Sequence, residues 1–125
     1  MTRRWGGSGR ALDEAGAASV TALGIAGAIV AVSIAVVPVL GVFVASQEAA
    51  NAADAAALAA ADAISGAVTG VPCDLADAVA ARNGATLVSC EGEGEGPVAT
   101  VRVEIERFGF TVSAAARAGP PGWNG

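Results

Sequence analysis

The two cysteines, Cys73 and Cys90, are the residues of this 125-residue chain best suited to covalent chemistry. In an oxidising compartment they can form one intramolecular disulfide, and closing a loop of this size stabilises a small domain by roughly 3 kcal/mol in the chain-entropy model. They can also remain two free thiols. A catalytic or metal-binding role lacks partners, because the chain has no histidine and no second cysteine pair. We expect a structural disulfide.

The acidic residues supply two further candidates. Asp74 and Asp77 could act as catalytic carboxylates, but both fit better at the start of a helix, where the dipole stabilises them and Asp74 can cap the amino terminus. The alternating Glu and Gly of residues 91–96 could cradle calcium, although the Asp spacing and closing bidentate Glu of a helix-loop-helix site are missing. We expect a solvated hairpin loop there and no metal site.

The composition removes most enzyme mechanisms. With no histidine, and with all seven basic residues arginine, the commonest general base and every lysine-based mechanism are excluded. A formal net charge of −5 and an isoelectric point near 4.5 argue against binding nucleic acid, which requires a basic surface. We therefore expect a protein that is not an enzyme and that takes no cofactor, small-molecule substrate or nucleic acid.

A long apolar segment separates the two ends of the chain. No charged residue occurs between Glu14 and Glu48, and residues 20–44, the apolar segment, carry almost only apolar side chains. As a helix this segment spans roughly 38 Å, more than the roughly 30 Å of a membrane's hydrocarbon core. The sequence predicts a transmembrane helix over residues 15–46, in which the hydroxyls of Thr21 and Ser33 bond carbonyl oxygens one turn back.

The arginines predict the orientation of that helix. Three of them precede it, at positions 3, 4 and 10, and the next basic residue is Arg82. By the positive-inside rule, residues 1–14 form a cytoplasmic leader and the chain beyond the helix is extracytoplasmic, in a single-pass protein of the cell membrane. The alternative is a signal peptide cleaved near Ser46, which would release a small secreted binding domain, although signal-peptide apolar cores run to only about 7–15 residues.

The exported part predicts an α+β fold. Residues 47–65 are rich in alanine and favour a continuation of the membrane helix, with one mainly polar stripe at positions 47, 51, 54, 58 and 62. Methyl groups bury little area, so this helix is either a spacer exposed to water or one that needs a partner surface. A short helix at 74–82, leaving through Asn83-Gly84, precedes a small antiparallel β-meander. Its strands are predicted at 85–90, 98–106 and 108–114, with a flexible tail at 119–125.

Two patterns in and before the apolar segment concern association between helices. Gly27, Ala31 and Ala35 stand one turn apart, which permits close helix packing but also arises by chance in an alanine-rich helix. Glu14 follows Gly9-Arg10 and stands at the edge of the apolar segment. A lone carboxylate there is costly to bury, but in a bundle of parallel subunits it can pair with a neighbour's new amino-terminal ammonium once the leader is removed after Gly9.

The Gly9 to Glu14 pattern resembles that of type IV prepilins, whose peptidase cuts after Gly at the cytoplasmic face. Two alternatives stay open. Asp13 and Glu14 can be an ordinary charged flank of a membrane helix, or the leader can remain in place and leave a permanently anchored protein.

Taken in order, several stretches make the chain similar to the TadE-like proteins of tight adherence (Tad, or Flp) pilus and secretion loci, especially the short actinobacterial branch called helicase/secretion neighbourhood TadE-like proteins. These stretches are residues 16–24, residues 47–62, Pro72-Cys73 with Cys90, and residues 116–120. The resemblance implies a minor pseudopilin, drawn from the bilayer into or beneath a thin pilus by an ATPase-driven platform. Residues 47–118 would then be an extracytoplasmic pilin-like region, with the membrane, other pilin or TadE-like subunits and the assembly platform as partners.

Overall fold

The computed structural model describes residues 3–92 and 96–122, and among them the side chains from Asp13 onward. The predicted α+β fold class is confirmed, with one long amino-terminal helix, one short helix and a three-stranded antiparallel sheet. The chain divides into two units, residues 1–40, called the helical unit, and residues 41–125, called the head unit. The elements, in chain order, are α1 (Arg3–Ile64), α2 (Pro72–Arg82), β1 (Thr86–Glu91), β2 (Ala99–Arg107) and β3 (Phe110–Ala118).

Helix α1 accounts for the described part of the helical unit. It begins at Arg3, so it includes most of the predicted leader, and it continues through Pro38. The hydroxyl of Thr21 donates a hydrogen bond to the carbonyl oxygen of Ala17, and that of Ser33 donates to Ile29, both at 2.8 Å. These are the predicted bonds to the preceding turn, and they satisfy the two hydroxyls without any partner outside the helix.

The sheet has the strand order β1-β2-β3, with both pairs antiparallel. β2 and β3 pair along their whole length, from Ala99 opposite Ala118 to Arg107 opposite Phe110. The predicted first and second strands are displaced by one residue, whereas β3 extends four residues beyond its predicted end. β1 is shorter, and its register on β2 shifts between Leu87 and Ser89.

Helix α2 begins earlier than its sequence predicts. Val71 occupies the amino-terminal cap position without a side-chain hydrogen bond, and Pro72 occupies the first turn. The prediction that Asp74 caps this helix is therefore wrong, because proline has its φ angle preset for the first helical position and needs no capped N–H. Asp74 lies inside the first turn, where the helix dipole still favours a carboxylate.

The carboxyl end of α2 follows its prediction. Gly84 has a φ of +72°, and its N–H donates to the carbonyl oxygen of Ala81 at 3.0 Å. The N–H of Ala85 donates to the carbonyl oxygen of Ala80 at 2.9 Å. Together these are the two bonds of a Schellman motif, which turns the chain from α2 into β1.

The core of the head unit is built mainly from alanine. One face of α1 between Ala49 and Ala60 is fully buried, and it clusters with Ala76 and Ala80 of α2 and with alternate residues of β2. The inward residues of β2 are Ala99, Val101, Val103 and Ile105, every second residue of the strand. The alanine-rich helix is thus not a spacer exposed to water, because the chain's own sheet covers one of its faces. All five positions of its polar stripe are exposed.

Candidate functional site

The apolar segment is the most unusual surface of the protein. Its large aliphatic and aromatic side chains are exposed on every side of α1, from 44% of their surface at Val42 to 75% at Leu23. A helix that is apolar all round and yet unburied by its own chain requires an apolar environment from elsewhere. Among the described residues α1 is the one helix long and apolar enough to cross a membrane. The structure therefore contains one helix that could form a single membrane span, and its insertion and orientation stay predictions.

The proposed packing residues Gly27, Ala31 and Ala35 all lie within this exposed surface. A Cβ atom placed at Gly27 would meet no other atom within 4 Å outside its own helix. The close-packing face is therefore open to another helix, and its use for association stays a prediction.

The residues of the proposed processing site lie on one continuous stretch of helix. Gly9 and Arg10 have helical backbone within α1, and the side chain of Glu14 is exposed one turn after Arg10. No described side chain of this chain forms a salt bridge with Glu14, since the described ion pair joins other residues. Pairing of its carboxylate with a group on another subunit stays a prediction.

The two cysteines form a disulfide in the head unit. The Sγ atoms of Cys73 and Cys90 are 2.08 Å apart, and the Cα atoms are 5.8 Å apart. The bond joins the first turn of α2 to the carboxyl end of β1, two elements that also pack against each other. It leaves no free cysteine in the described chain. The cysteines therefore have a structural position, in a domain whose alanine core buries little area per residue.

The acidic candidates are not brought together. Asp74 and Asp77 are both exposed on α2. The predicted loop at 91–96 lies partly outside the described residues, which omit 93–95; of the rest, Glu91 ends β1 and Gly92 packs beside Ile64, where an added Cβ would come within 2.9 Å of its Cδ1 atom. Among the described side chains no group of three or more Cys, Asp or Glu residues is placed to hold a metal ion.

A contact that the sequence did not predict lies where α1 enters the head unit. The turn between β2 and β3 brings Phe108 against Gly41, so that a Cβ atom at Gly41 would be 3.2 Å from the ring carbon Cε2. Nearby, the guanidinium Nη2 of Arg107 donates to Oε2 of Glu48 at 3.1 Å. The third strand begins at Phe110, two residues later than predicted, because Phe108 and Gly109 form the turn; Gly109 is the sequence signal for that turn.

Comparison with known proteins gives no match: no protein-family model, no curated protein and no solved structure matches the chain.

Proposed function

We propose that this protein is a TadE-like minor pseudopilin or accessory subunit of a Tad/Flp-type pilus or secretion system, assembled through its amino-terminal helix. The observation that carries the proposal is the change from exposed to buried side chains along α1 near Ala45. Before this residue the helix is apolar and exposed, and beyond it one face of the same helix is buried in the core of the head unit. Such a helix can serve both as a membrane anchor and as the helix against which an exported domain packs, with no linker in between.

The exposed part of α1 supplies the surface for assembly. In the bilayer, helix association relies on close packing of small residues, because lipid tails are as apolar as the side chains they replace. Gly27, Ala31 and Ala35 provide such a surface on α1. These residues precede Ala45, where the buried alanine face of α1 begins. Parallel copies of pilin-like helices are the partners that fit this arrangement.

Glu14 is the residue proposed to set the register between subunits. After cleavage following Gly9, the new amino-terminal ammonium of one subunit would pair with the Glu14 carboxylate of its neighbour. At the membrane edge such a pair is more favourable than either charge alone, because an unpaired charge in a poorly hydrated environment costs several kcal/mol. Gly9 and Arg10 flank the bond that would be cut.

Substitution of Glu14 tests the assembly role. In cells that produce the partner pilins, Glu14→Ala is expected to leave the protein in the membrane fraction but to lower its recovery with crosslinked pilin subunits at least about tenfold, the effect of losing roughly 1.4 kcal/mol per contact. The adjacent carboxylate gives a matched control, because Asp13→Ala removes the same charge from another side of the helix. It is expected to crosslink like the unaltered protein.

Two results would contradict the proposal. If Glu14→Ala crosslinks as well as the unaltered protein does, the carboxylate does not set the register. If both substitutions reduce crosslinking equally, the effect comes from the net charge of the juxtamembrane segment rather than from a specific pair.

A further inference from the structure

The two-residue turn between β2 and β3, residues 108–109, and the first residue of β3, Phe110, are together called the hairpin tip, which exposes two phenyl rings. Phe108 and Phe110 are 81% and 62% exposed, although they are two of only three phenylalanines in the chain. Phe108 also has a φ of +53° and Gly109 a φ of +77°, the positive angles of the two-residue turns that match strand twist. Asn or Gly adopts the first of these positions more readily than a bulky aromatic does. Local folding therefore does not explain a phenylalanine there.

The hairpin tip lies level with the end of the apolar segment. The ring of Phe108 contacts Gly41, and only three residues of the segment, 42–44, follow this glycine. The Glu48–Arg107 ion pair holds the adjoining end of β2 to α1 about two turns further along the helix. Exposed Phe43 belongs to the same turn as Gly41. Phe43 and Phe108 thus lie at the end of the apolar segment, and Phe110, the third phenylalanine of the protein, is two residues from Phe108.

A lipid surface fits this position better than water does. The apolar segment exceeds the roughly 30 Å hydrocarbon core, so its last residues lie at the boundary between acyl chains and headgroups. Aromatic and aliphatic side chains are favoured at this boundary, typically about 5–10 Å deep. The hairpin tip carries no charge, whereas the nearest charged residue, Arg107, is turned to Glu48 on α1.

We propose that the hairpin tip is a membrane-contact site, in which Phe108 and Phe110 enter the outer headgroup boundary beside the end of the transmembrane helix. The inference rests on the proposed membrane insertion of the apolar segment. It adds a second point of attachment to the bilayer besides α1. The proposed partner of the hairpin tip is lipid. The alternative is that a second copy of the chain covers the hairpin tip.

Tryptophan fluorescence in lipid vesicles tests this contact. The full chain carrying Trp5→Phe and Trp123→Phe receives one new tryptophan at a time and is placed in vesicles with and without acyl chains brominated near the headgroup. Phe108→Trp is expected to emit less in the brominated vesicles than in the unbrominated ones, because a ring about 5–10 Å deep lies close to bromine near the headgroup. Phe110→Trp is a second reporter, in case the turn rejects the larger ring.

Two matched positions separate the possible outcomes. Thr100 is exposed on β2, roughly 23 Å along the strand from Arg107 at about 3.3 Å per residue. Thr100→Trp is therefore expected to keep its emission. Ile34→Trp reports on the apolar segment itself, in vesicles brominated deeper in the acyl chains. Quenching of Ile34→Trp without quenching of either tip reporter overturns the membrane-contact site while leaving the membrane span intact. Absence of quenching at all these positions overturns the span, and with it the proposed function.

A dilution series addresses the alternative that a second copy of the chain covers the hairpin tip. If the tip tryptophans are shielded by a second copy of the chain, their emission will change when the protein-to-lipid ratio falls by about tenfold, because dimers dissociate on dilution. Emission that is quenched by bromine and independent of dilution supports lipid. Emission that depends on dilution and is insensitive to bromine overturns the proposal.

Discussion

At Gly84 a single backbone angle determines how the short helix leads into the sheet. Its φ of +72° allows the N–H groups of Gly84 and Ala85 to satisfy the last carbonyl groups of α2. A Cβ atom at this position would have no neighbour within 4 Å, so a substitution there changes the backbone preference and not the packing. A substitution of Gly84 therefore measures the backbone effect separately from any packing effect.

Gly84→Ala is expected to lower the free energy of unfolding of the head unit by about 1–2 kcal/mol, because an L-residue other than Gly or Asn is disfavoured at positive φ. Gly84→Asn, which tolerates this conformation, is the control and is expected to cost less. Thermal denaturation of the full chain in detergent micelles measures both. Equal losses for Ala and Asn would contradict a backbone origin.

At the residue scale the sequence predicted those features that depend on local chemistry. With only two cysteines a single pairing was possible, and Asn83-Gly84 is a local helix-exit signal. The prediction of the α2 cap is wrong because Pro72 and Asp74 are both typical of helix starts. Which of the two begins the helix depends on the position of Val71 at the end of the preceding loop. The contact of Phe108 with Gly41 joins residues 67 positions apart, which no local pattern reveals.

At the scale of elements, the alanine face of α1 sets how closely the helix approaches the sheet. Ala57 is fully buried, whereas Asn51 lies on the exposed polar stripe of the same helix. A larger side chain on the buried face has to separate the helix from the sheet or displace its neighbours. The same side chain on the stripe meets only solvent.

Ala57→Leu is therefore expected to destabilise the head unit by about 1–3 kcal/mol, the usual cost of overpacking a close-packed core. Asn51→Leu adds the same side chain at the exposed position and is expected to change the stability by less than about 0.5 kcal/mol. Urea denaturation of the full chain in micelles, followed by circular dichroism, compares the two. A tolerant Ala57→Leu variant would show that the alanine face is not closely packed.

The periodicity of residues 47–62 predicted which face of α1 is polar, and the structure places all five stripe positions at the surface. Periodicity could not predict what covers the opposite face, because that depends on the position of the sheet. The end of β3 was missed for a similar reason. Its last residues, Ala115 to Ala118, have weak strand propensity. They belong to the strand because they pair with the beginning of β2.

At the scale of the whole molecule, processing of the leader has a direct readout in the mass of the mature protein. Cleavage after Gly9 predicts an intact mass that lacks residues 1–9. The full chain recovered from membranes would support a permanent anchor instead, and a mass beginning near Gln47 would support release by signal peptidase. A Gly9→Leu variant, expected to keep the leader, is the control for the first outcome.

The most direct test of the central claim, that residues 20–44 cross the membrane once and carry the head unit to the outside, is cysteine labelling in spheroplasts. The native cysteines are joined in a disulfide, so Ala11→Cys or Ser113→Cys supplies the one reactive thiol, and both positions remain in the chain after cleavage at Gly9. An impermeant maleimide is expected to label Ser113→Cys in intact spheroplasts and Ala11→Cys only after lysis. Labelling of Ala11→Cys before lysis, or of Ser113→Cys only after it, would contradict the account.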